Sequence, residues 1–313
     1  MTRLTVLMPA YNAAPYIREA IDSVLRQTYH DYELLIINDG STDTTKDIIE
    51  SYTDKRIRLV SQENKGIAKA LNTGLQLAKG ELIARFDADD ICLPGRLENQ
   101  FSFMEANPGC IVTGSEAEFI SENGEHLFNF KCFAYTNEEI KKIIYNTCPF
   151  IHTAVIYRKS AVLKAGGYPE DAHNFEDHLL WIQLCTYGSY YNLPFPLVKV
   201  RYNPASATMD EKWRGSRFRR LKQRILLRGT VTREEGEELE AILEKQDKEK
   251  IKKGSYYALC GKKFLLNNHE PGKARQQLIK AIRIYPFRFD NYFLFILSWL
   301  PASFLKWLHK MKG

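Results

Sequence analysis

Over the first ninety positions, apolar residues come in short blocks whose period alternates between strand and helix. Residues 4–8 form a mostly apolar run that stops at Pro9. Pro15 then opens a segment in which Ile17, Ala20, Ile21, Val24 and Leu25 recur at helical spacing. Residues 33–38 read ELLIIN, a second buried strand, and Asp39-Gly40-Ser41 is a turn before a helix over 42–52. A third strand is predicted at 57–60, a helix at 67–78 with Gly80 just past its end, and a fourth strand at 82–86 that stops at Asp87. Strands separated by helices predict a parallel sheet covered on both faces.

Beyond residue 90 the pattern loosens. It predicts a helix at 94–106, a strand at 110–120, a helix at 176–187 and a last strand at 196–201. From about residue 210 it is helical almost to the end, so the expected division is 1–210 and 211–313. Within the tail, 256–266 and 273–284 form a helix pair resembling one tetratricopeptide-type hairpin, through Ala274, Leu278, Ala281 and Pro286. A single such repeat cannot bury its own face and must pack on something. Residues 293–300 are apolar on all sides, Pro301 breaks the run, and Trp299 and Trp307 flank it. A bilayer-spanning helix needs about 20 residues, so this segment is too short and too broken to cross one. With Lys306, Lys310 and Lys312 it suits an interfacial helix over 289–310, or else a core helix closing the tail.

Charge sharpens that division. Residues 1–210 hold 20 Lys and Arg against 27 Asp and Glu, a balance of −7; residues 211–313 hold 24 against 11, a balance of +13. An acidic body suits cations or polyhydroxyl ligands, and a basic tail suits an anionic surface. The basic run WRGSRFRRLKQR carries no nucleic-acid-binding motif, so no nucleic-acid partner is expected. Six scattered cysteines without a CxxC argue against zinc and against a disulfide framework, and for reduced thiols in a cytoplasm. The start, MTRLTVLMPAYN, reads as a strand and a turn rather than a signal peptide.

Three polar clusters fall at predicted strand ends: Pro9-Ala10-Tyr11-Asn12, Asn38-Asp39-Gly40 and Asp87-Ala88-Asp89-Asp90. Ligands of such sheets bind beyond the carboxyl ends of the strands, so the clusters should converge in one crevice. Asp87, Asp89 and Asp90 lie within four residues and repel one another unless something offsets their charge. A Mg²⁺ or Mn²⁺ ion sharing its coordination with a diphosphate would do so; helix-capping aspartates in a solvated loop would be the plainer explanation. The segment after the first strand, MPAYNAAPY, has no glycine, and no P-loop pattern occurs, so bound phosphates would not sit in a glycine-rich cradle.

Taken together, VLMPAYNAAPYIREAIDSVLRQTY, ELLIINDGSTD, ENKGIAKALNTGL, ELIARFDADD, HTAVIYRKSAVLKAGGYPE and FEDHLLW resemble the family 2 glycosyltransferases, over about residues 4–200. The resemblance implies a GT-A fold, a Rossmann-like mixed and mostly parallel sheet with helices on both faces, here followed by an all-α C-terminal region. It implies an inverting, Mn²⁺- or Mg²⁺-dependent transfer from a UDP-sugar to a glycan. Pro9, Ala10, Tyr11 and Asn12 would line the nucleoside pocket, Asp39 would contact the base and Asp87 would lie near the ribose. Asp89 would hold the metal. Lys69 would lie near the base or phosphate, although the sequence reads K-A-L-N where many relatives read A-R-N. Glu176-Asp177 would supply the general base, with Asp177 first choice and Glu176 next, and Trp181 follows at the usual distance. His152, Gly167 and Trp181 would form the acceptor side. The expected setting is polysaccharide synthesis (capsule, O-antigen or exopolysaccharide) on a lipid-linked acceptor, with the protein peripheral on the inner face of the cell membrane. A transferase of another nucleotide sugar, or a catalytically silent sugar-nucleotide-binding assembly subunit, are the alternatives.

Overall fold

The structure is a computed structural model and describes residues 3–204 and 214–301. The elements that carry the amino-terminal sheet are β1 (Leu4–Ala10), α1 (Ile17–Leu25), β2 (Tyr32–Asp39), α2 (Thr45–Glu50), β3 (Ile57–Gln62), α3 (Ile67–Leu77) and β4 (Leu82–Arg85). Strands β1 and β2 are buried at every position because they run through the middle of the sheet, whereas β3 lies at its edge and is only half-buried. Helix α1 buries Ile17, Ala20, Ile21 and Val24, the stripe expected of a helix lying on a sheet. Helix α3 approaches so closely that a Cβ on Gly74 would come within 2.2 Å of Leu7. Helix α2 is shorter than its sequence pattern, and ahead of it Asp43 Oδ1 accepts the Thr45 N–H at 3.0 Å.

The next elements are β5 (Ile91–Cys92), α4 (Arg96–Ala106), β6 (Cys110–Ile120), β7 (His126–Phe130), α5 (Asn137–Ile143), β8 (Ile156–Arg158), α6 (Lys159–Lys164), α7 (Glu176–Gln183) and β9 (Ser189–Arg201). Strand order is β3-β2-β1-β4-β8-β6-β9-β5, with β7 on β6. The first four strands pair in parallel, but β8 runs antiparallel to both β4 and β6, so the sheet is mixed. The short β5, β7 and β8 carry too few residues to show a period, and β9 begins seven residues before the predicted strand because Pro194 and Pro196 interrupt its pattern. The helix predicted at 176–187 ends at Gln183 and tightens into a 3₁₀ turn over Leu184–Thr186.

Among the described residues, five helices follow: α8 (Ser216–Arg228), α9 (Arg233–Glu244), α10 (Lys248–Leu266), α11 (Pro271–Ile284) and α12 (Phe289–Leu297). The chain forms two compact units. The first takes the residues up to Ala117, Phe130–Val200 and Leu221–Glu237; the second takes Glu118–Asn129 and the described parts of the chain on either side of that last segment. In the second unit α10 and α11 pack closely, with Leu278 against Gly261, and the pair buries Cys260, Phe264, Leu265, Ala274 and Leu278 together with Leu127, Tyr202 and Tyr256. The hairpin therefore covers its apolar face with β7 and with the stretch after β9. All six cysteines are free thiols. Among the described residues, no helix is long and apolar enough to cross a membrane.

Candidate active site

Strand register brings the three polar clusters to one end of the sheet. Ala10 pairs with Asn38, Asp39 pairs with Gln62, and Leu7 pairs with Arg85 while its carbonyl accepts the Phe86 N–H at 3.0 Å. The loop after β1 is then tied to the loop after β2. Asn12 adopts a left-handed φ of 48°. Its N–H donates to Ser41 Oγ at 3.0 Å, and its Oδ1 accepts the Thr42 N–H at 2.8 Å. Ala13 and Ala14 donate to Thr45 Oγ1 (2.8 Å) and Asp43 Oδ2 (3.1 Å). Burial opposes ionisation of Asp43, but the hydrogen bonds from Thr45 and Ala14 outweigh it and lower its pKa. Pro9 and Ala10 are buried strand residues, and Asn12 is committed to the loop; Tyr11, 52% exposed, offers the open ring surface of the four.

Asp39 is almost fully buried and already serves the protein. Its Oδ1 accepts from Gln62 Nε2 (2.7 Å) and the Lys65 N–H (3.0 Å), and its Oδ2 accepts the Gly66 N–H (2.8 Å). A carboxylate has about four acceptor positions, which leaves one on Oδ2. Lys69 is half-exposed and lies 3.9 Å from Glu170, across from the loop after α6.

Asp87, Asp89 and Asp90 offer carboxylate oxygens that lie within 4.8 Å of one another. Hard oxygens at that spacing, with Asp87 and Asp89 partly accessible, fit a Mg²⁺- or Mn²⁺-type ion that keeps room for phosphate. The Asp87 N–H donates to Thr153 Oγ1 at 3.0 Å, and its carboxylate accepts a short hydrogen bond from Arg85. Arg85 itself is 2% exposed. Burial disfavours its charge, but Asp87 outweighs burial and keeps the guanidinium protonated. An arginine in the middle of LIARF is a buried charge that demands a partner, so the sequence carried a signal for Arg85 that pattern reading passed over.

Glu176 and Asp177 begin α7. Glu176 is buried, and burial with the adjacent Asp177 pushes its carboxyl up to about 7; Arg85 pulls the other way, and Asp87 adds to the rise. Asp177 remains partly accessible; its Oδ1 accepts the His178 N–H at 2.7 Å and its Oδ2 faces the Cys148 thiol at 3.9 Å. Thr153, which accepts the Asp87 N–H, follows His152, which packs edge-on to Trp181 of α7, so the helix that begins with the acidic pair is tied to the aspartate cluster.

On the side expected for the acceptor, His152 sits in a single 3₁₀ turn, with Nε2 and Tyr168 Oη sharing a hydrogen bond at 3.0 Å. Some of the residue's surface is accessible, but protein surrounds the imidazole. That desolvation, reinforced by Arg85, lowers its pKa well below 6.5 and keeps the ring neutral. Trp181 has no exposed surface: it packs edge-on to Phe150 and His152 and against Tyr157, so it backs the wall rather than presenting a contact face. Gly167 has φ 83°, and a Cβ there would lie 2.6 Å from Asn72 Oδ1. Asn72 explains the closeness. From α3 it accepts the Tyr168 N–H at 2.8 Å and donates Nδ2 to the Tyr168 carbonyl at 3.0 Å. It thereby ties α3 to the loop that carries His152's partner. An asparagine inside a helix is a weak helix former, which was the available sign of a tertiary task.

A sequence profile of glycosyl transferase family 2 matches residues 5–166, from β1 through the aspartate cluster to the loop after α6. The chain belongs to glycosyl transferase family 2. Relatives agree. A Haemophilus influenzae protein named as an uncharacterized glycosyltransferase is 36% identical over 205 residues, 64% of this chain and 76% of that one. The amylovoran biosynthesis glycosyltransferase AmsE of Erwinia amylovora is 31% identical over 244 residues, 72% of this chain and 90% of its own. The Escherichia coli O-antigen biosynthesis glycosyltransferase WbnJ is 36% identical over 186 residues, 58% and 71% of the two chains. Among solved structures, Staphylococcus aureus TarS 1–349 superposes with a TM-score of 0.56 at 19% identity, covering 90% of this chain and 89% of that one. The mannosyltransferase PcManGT of Pyrobaculum calidifontis, solved with GDP-Man and Mn²⁺, gives 0.54 at 18% identity, over 95% and 85%. The fold is accordingly GT-A, with a helical carboxyl-terminal region.

Proposed function

We propose that this glycosyltransferase is metal-dependent and inverting, and that it moves a hexose from a UDP-sugar to a lipid-linked glycan during polysaccharide assembly. The observation that carries the reading is the cluster of Asp87, Asp89 and Asp90 carboxylates at the strand ends, where the Asp87 N–H is held by Thr153, next to the His152 that packs on Trp181 of the Glu176–Asp177 helix. The names of AmsE and WbnJ support the polysaccharide setting. A TarS structure holding UDP-GlcNAc supports the donor class, and the PcManGT complex supports a divalent ion.

In this reading Tyr11 covers the base, Asp39 offers it the remaining lone pair on Oδ2, and Asp87 lies near the ribose. Asp89 is the principal metal ligand, and a bound ion would act as a Lewis acid toward the departing diphosphate. Arg85 holds the Asp87 carboxylate in place. The acceptor hydroxyl attacks the anomeric carbon from the face opposite the nucleotide while Asp177 takes its proton. Glu176, buried next to Asp177 with its carboxyl pushed up to about 7, is the next candidate for the base. Inversion turns an α-linked donor into a β-linked product. Residues 1–210 are assigned the donor chemistry, and 211–313 attachment to the anionic inner face of the cell membrane.

Another nucleotide sugar is the second reading, favoured by the GDP-Man complex on the same fold and by the three hydrogen bonds already on Asp39. The test is a panel of nucleotide sugars with Mn²⁺, scored by thermal shift and by release of free nucleotide. A donor at 100 times its Kd stabilises a fold by about 2.7 kcal/mol. Stabilisation by a UDP-sugar with UDP release is the expected result. Binding without turnover for any donor and glycan acceptor would instead mark a silent sugar-nucleotide-binding subunit.

A further inference from the structure

Helix α12 is inside out for a helix facing water. At about 100° per residue, Phe289, Tyr292, Phe293 and Ile296 fall on one face, within an arc of about 100°. That face is outward: Phe289 is 76% exposed, Phe293 64% and Ile296 68%, with Trp299 at 67% just beyond the helix. The inner face, although mostly apolar, takes in two polar residues, Asn291 and, just past the helix, Ser298. Asn291 is 1% exposed and its Nδ2 has no hydrogen-bond partner, and Ser298 is fully buried. Leu294, Phe295 and Leu297 lie against the core made by α10 and α11. Packing therefore absorbs half of the apolar segment, Phe295 included, and leaves an aromatic ridge to solvent. Phe287 in the preceding turn, 86% exposed, extends the ridge. A helix that buries asparagine and exposes phenylalanine matches an apolar medium, not water.

Charge identifies the medium. Of the basic side chains over 271–301, Lys273 is paired with Glu125 and Glu270 and Arg288 with Asp290, and Arg275, Lys280 and Arg283 carry the remaining charge. Lys280 and Arg283 are exposed on α11, the helix α12 packs against. The sequence then continues with Lys306, Lys310 and Lys312 and no further acid; these and Trp307 lie outside the described residues. Aromatic side chains beside lysine and arginine fit the headgroup level of an anionic bilayer, where rings enter the acyl boundary and cations meet phosphate.

We propose that the outer face of α12, formed by Phe289, Phe293, Ile296 and Trp299, docks this enzyme on anionic lipid. The inference rests on the membrane part of the function proposed above and names the surface responsible. The test compares the full chain with its Phe289→Ser/Phe293→Ser/Ile296→Ser variant, in which no core side chain changes. Both are floated with vesicles of phosphatidylcholine containing phosphatidylglycerol, and both are titrated with UDP and sized by sedimentation without lipid. Vesicle affinity should fall at least about tenfold in the variant and weaken with salt in the wild type, with equal UDP binding and equal mass. Three results would each overturn the proposal: no flotation of the wild type, equal flotation of both, or a wild-type dimer that the substitutions dissolve without lipid dependence. UDP binding reads the donor site separately, so failure of the lipid surface stays distinct from failure of the transferase reading.

Discussion

Gly167 gives the sharpest test of how α3 is joined to the loop after α6. An alanine there meets two penalties. Its φ of 83° is left-handed, which for a residue with a Cβ costs about 1–2 kcal/mol. Its Cβ would also stand 2.6 Å from Asn72 Oδ1, so Asn72 must move and forfeit its two hydrogen bonds to the Tyr168 backbone. At about 1 kcal/mol each, these bring the total to roughly 3–4 kcal/mol. Gly166 is the internal control. Its φ is 99°, but no atom lies within 4 Å of its would-be Cβ, so Gly166→Ala should cost about 1–2 kcal/mol, the backbone strain alone. Urea unfolding followed by tryptophan fluorescence measures both. A double-mutant cycle isolates the contact: in an Asn72→Ala background, Gly167→Ala should cost no more than Gly166→Ala, a coupling of about 2 kcal/mol. Because the loop presents Tyr168 to His152, Gly167→Ala should also raise the acceptor KM while leaving UDP affinity unchanged. Equal costs for the two glycines, or no coupling to Asn72, would refute the clamp.

Asp89→Ala should abolish transfer and leave the fold intact, since removing one of three clustered carboxylates relieves repulsion; chelation of divalent ions should do the same, and full activity in a metal-free assay would contradict the ligand assignment. Asp177→Asn keeps shape and loses basicity, so kcat should fall by about 10²–10⁴-fold with UDP affinity unchanged; near wild-type turnover would pass the role to Glu176. Glu176→Gln carries a pH signature. The folded carboxyl titrates near 7 against an ordinary 4.5, so the stability of a neutral Glu176 is present below pH 4.5 and is lost as pH rises toward and through 7. Glutamine avoids that loss, so the variant should gain on the wild type by at most about 3 kcal/mol between pH 4 and pH 8 in chemical denaturation, and a pH-independent difference would show that burial does not govern the residue.

Hydrophobic period was enough for the amino-terminal architecture. Ile17, Ala20, Ile21 and Val24 mark one face of α1, and continuous apolar runs mark β1 and β2, because central strands of a covered sheet lose both faces to the interior. The clusters at 9–12, 38–40 and 87–90 could be placed at strand ends for the same reason. Their level alignment, Ala10 beside Asn38 and Leu7 beside Arg85, is a matter of register, which hydrogen bonding between strands decides.

Local sequence could not reveal what distant segments do to one another. Nothing in FEDHLLW says that Glu176 is buried while Asp177 keeps access to solvent. Asp39 reads as a turn former or a base contact, yet three donors from β3 and the loop after it already occupy its carboxylate. Trp181 reads as an acceptor-side contact and is taken up by packing, while Asn72 and Arg85, which the hydrophobic pattern does not single out, hold the site together. The apolar run at 293–300 marked a buried or interfacial helix; its division into an inner face with Asn291 and an outer face with Phe293 followed only once α10 and α11 had taken one side. The physical reason is common to all of these. Period and composition report each segment's own preference, whereas burial, charge state and exposure are set by neighbours that the fold brings from elsewhere in the chain.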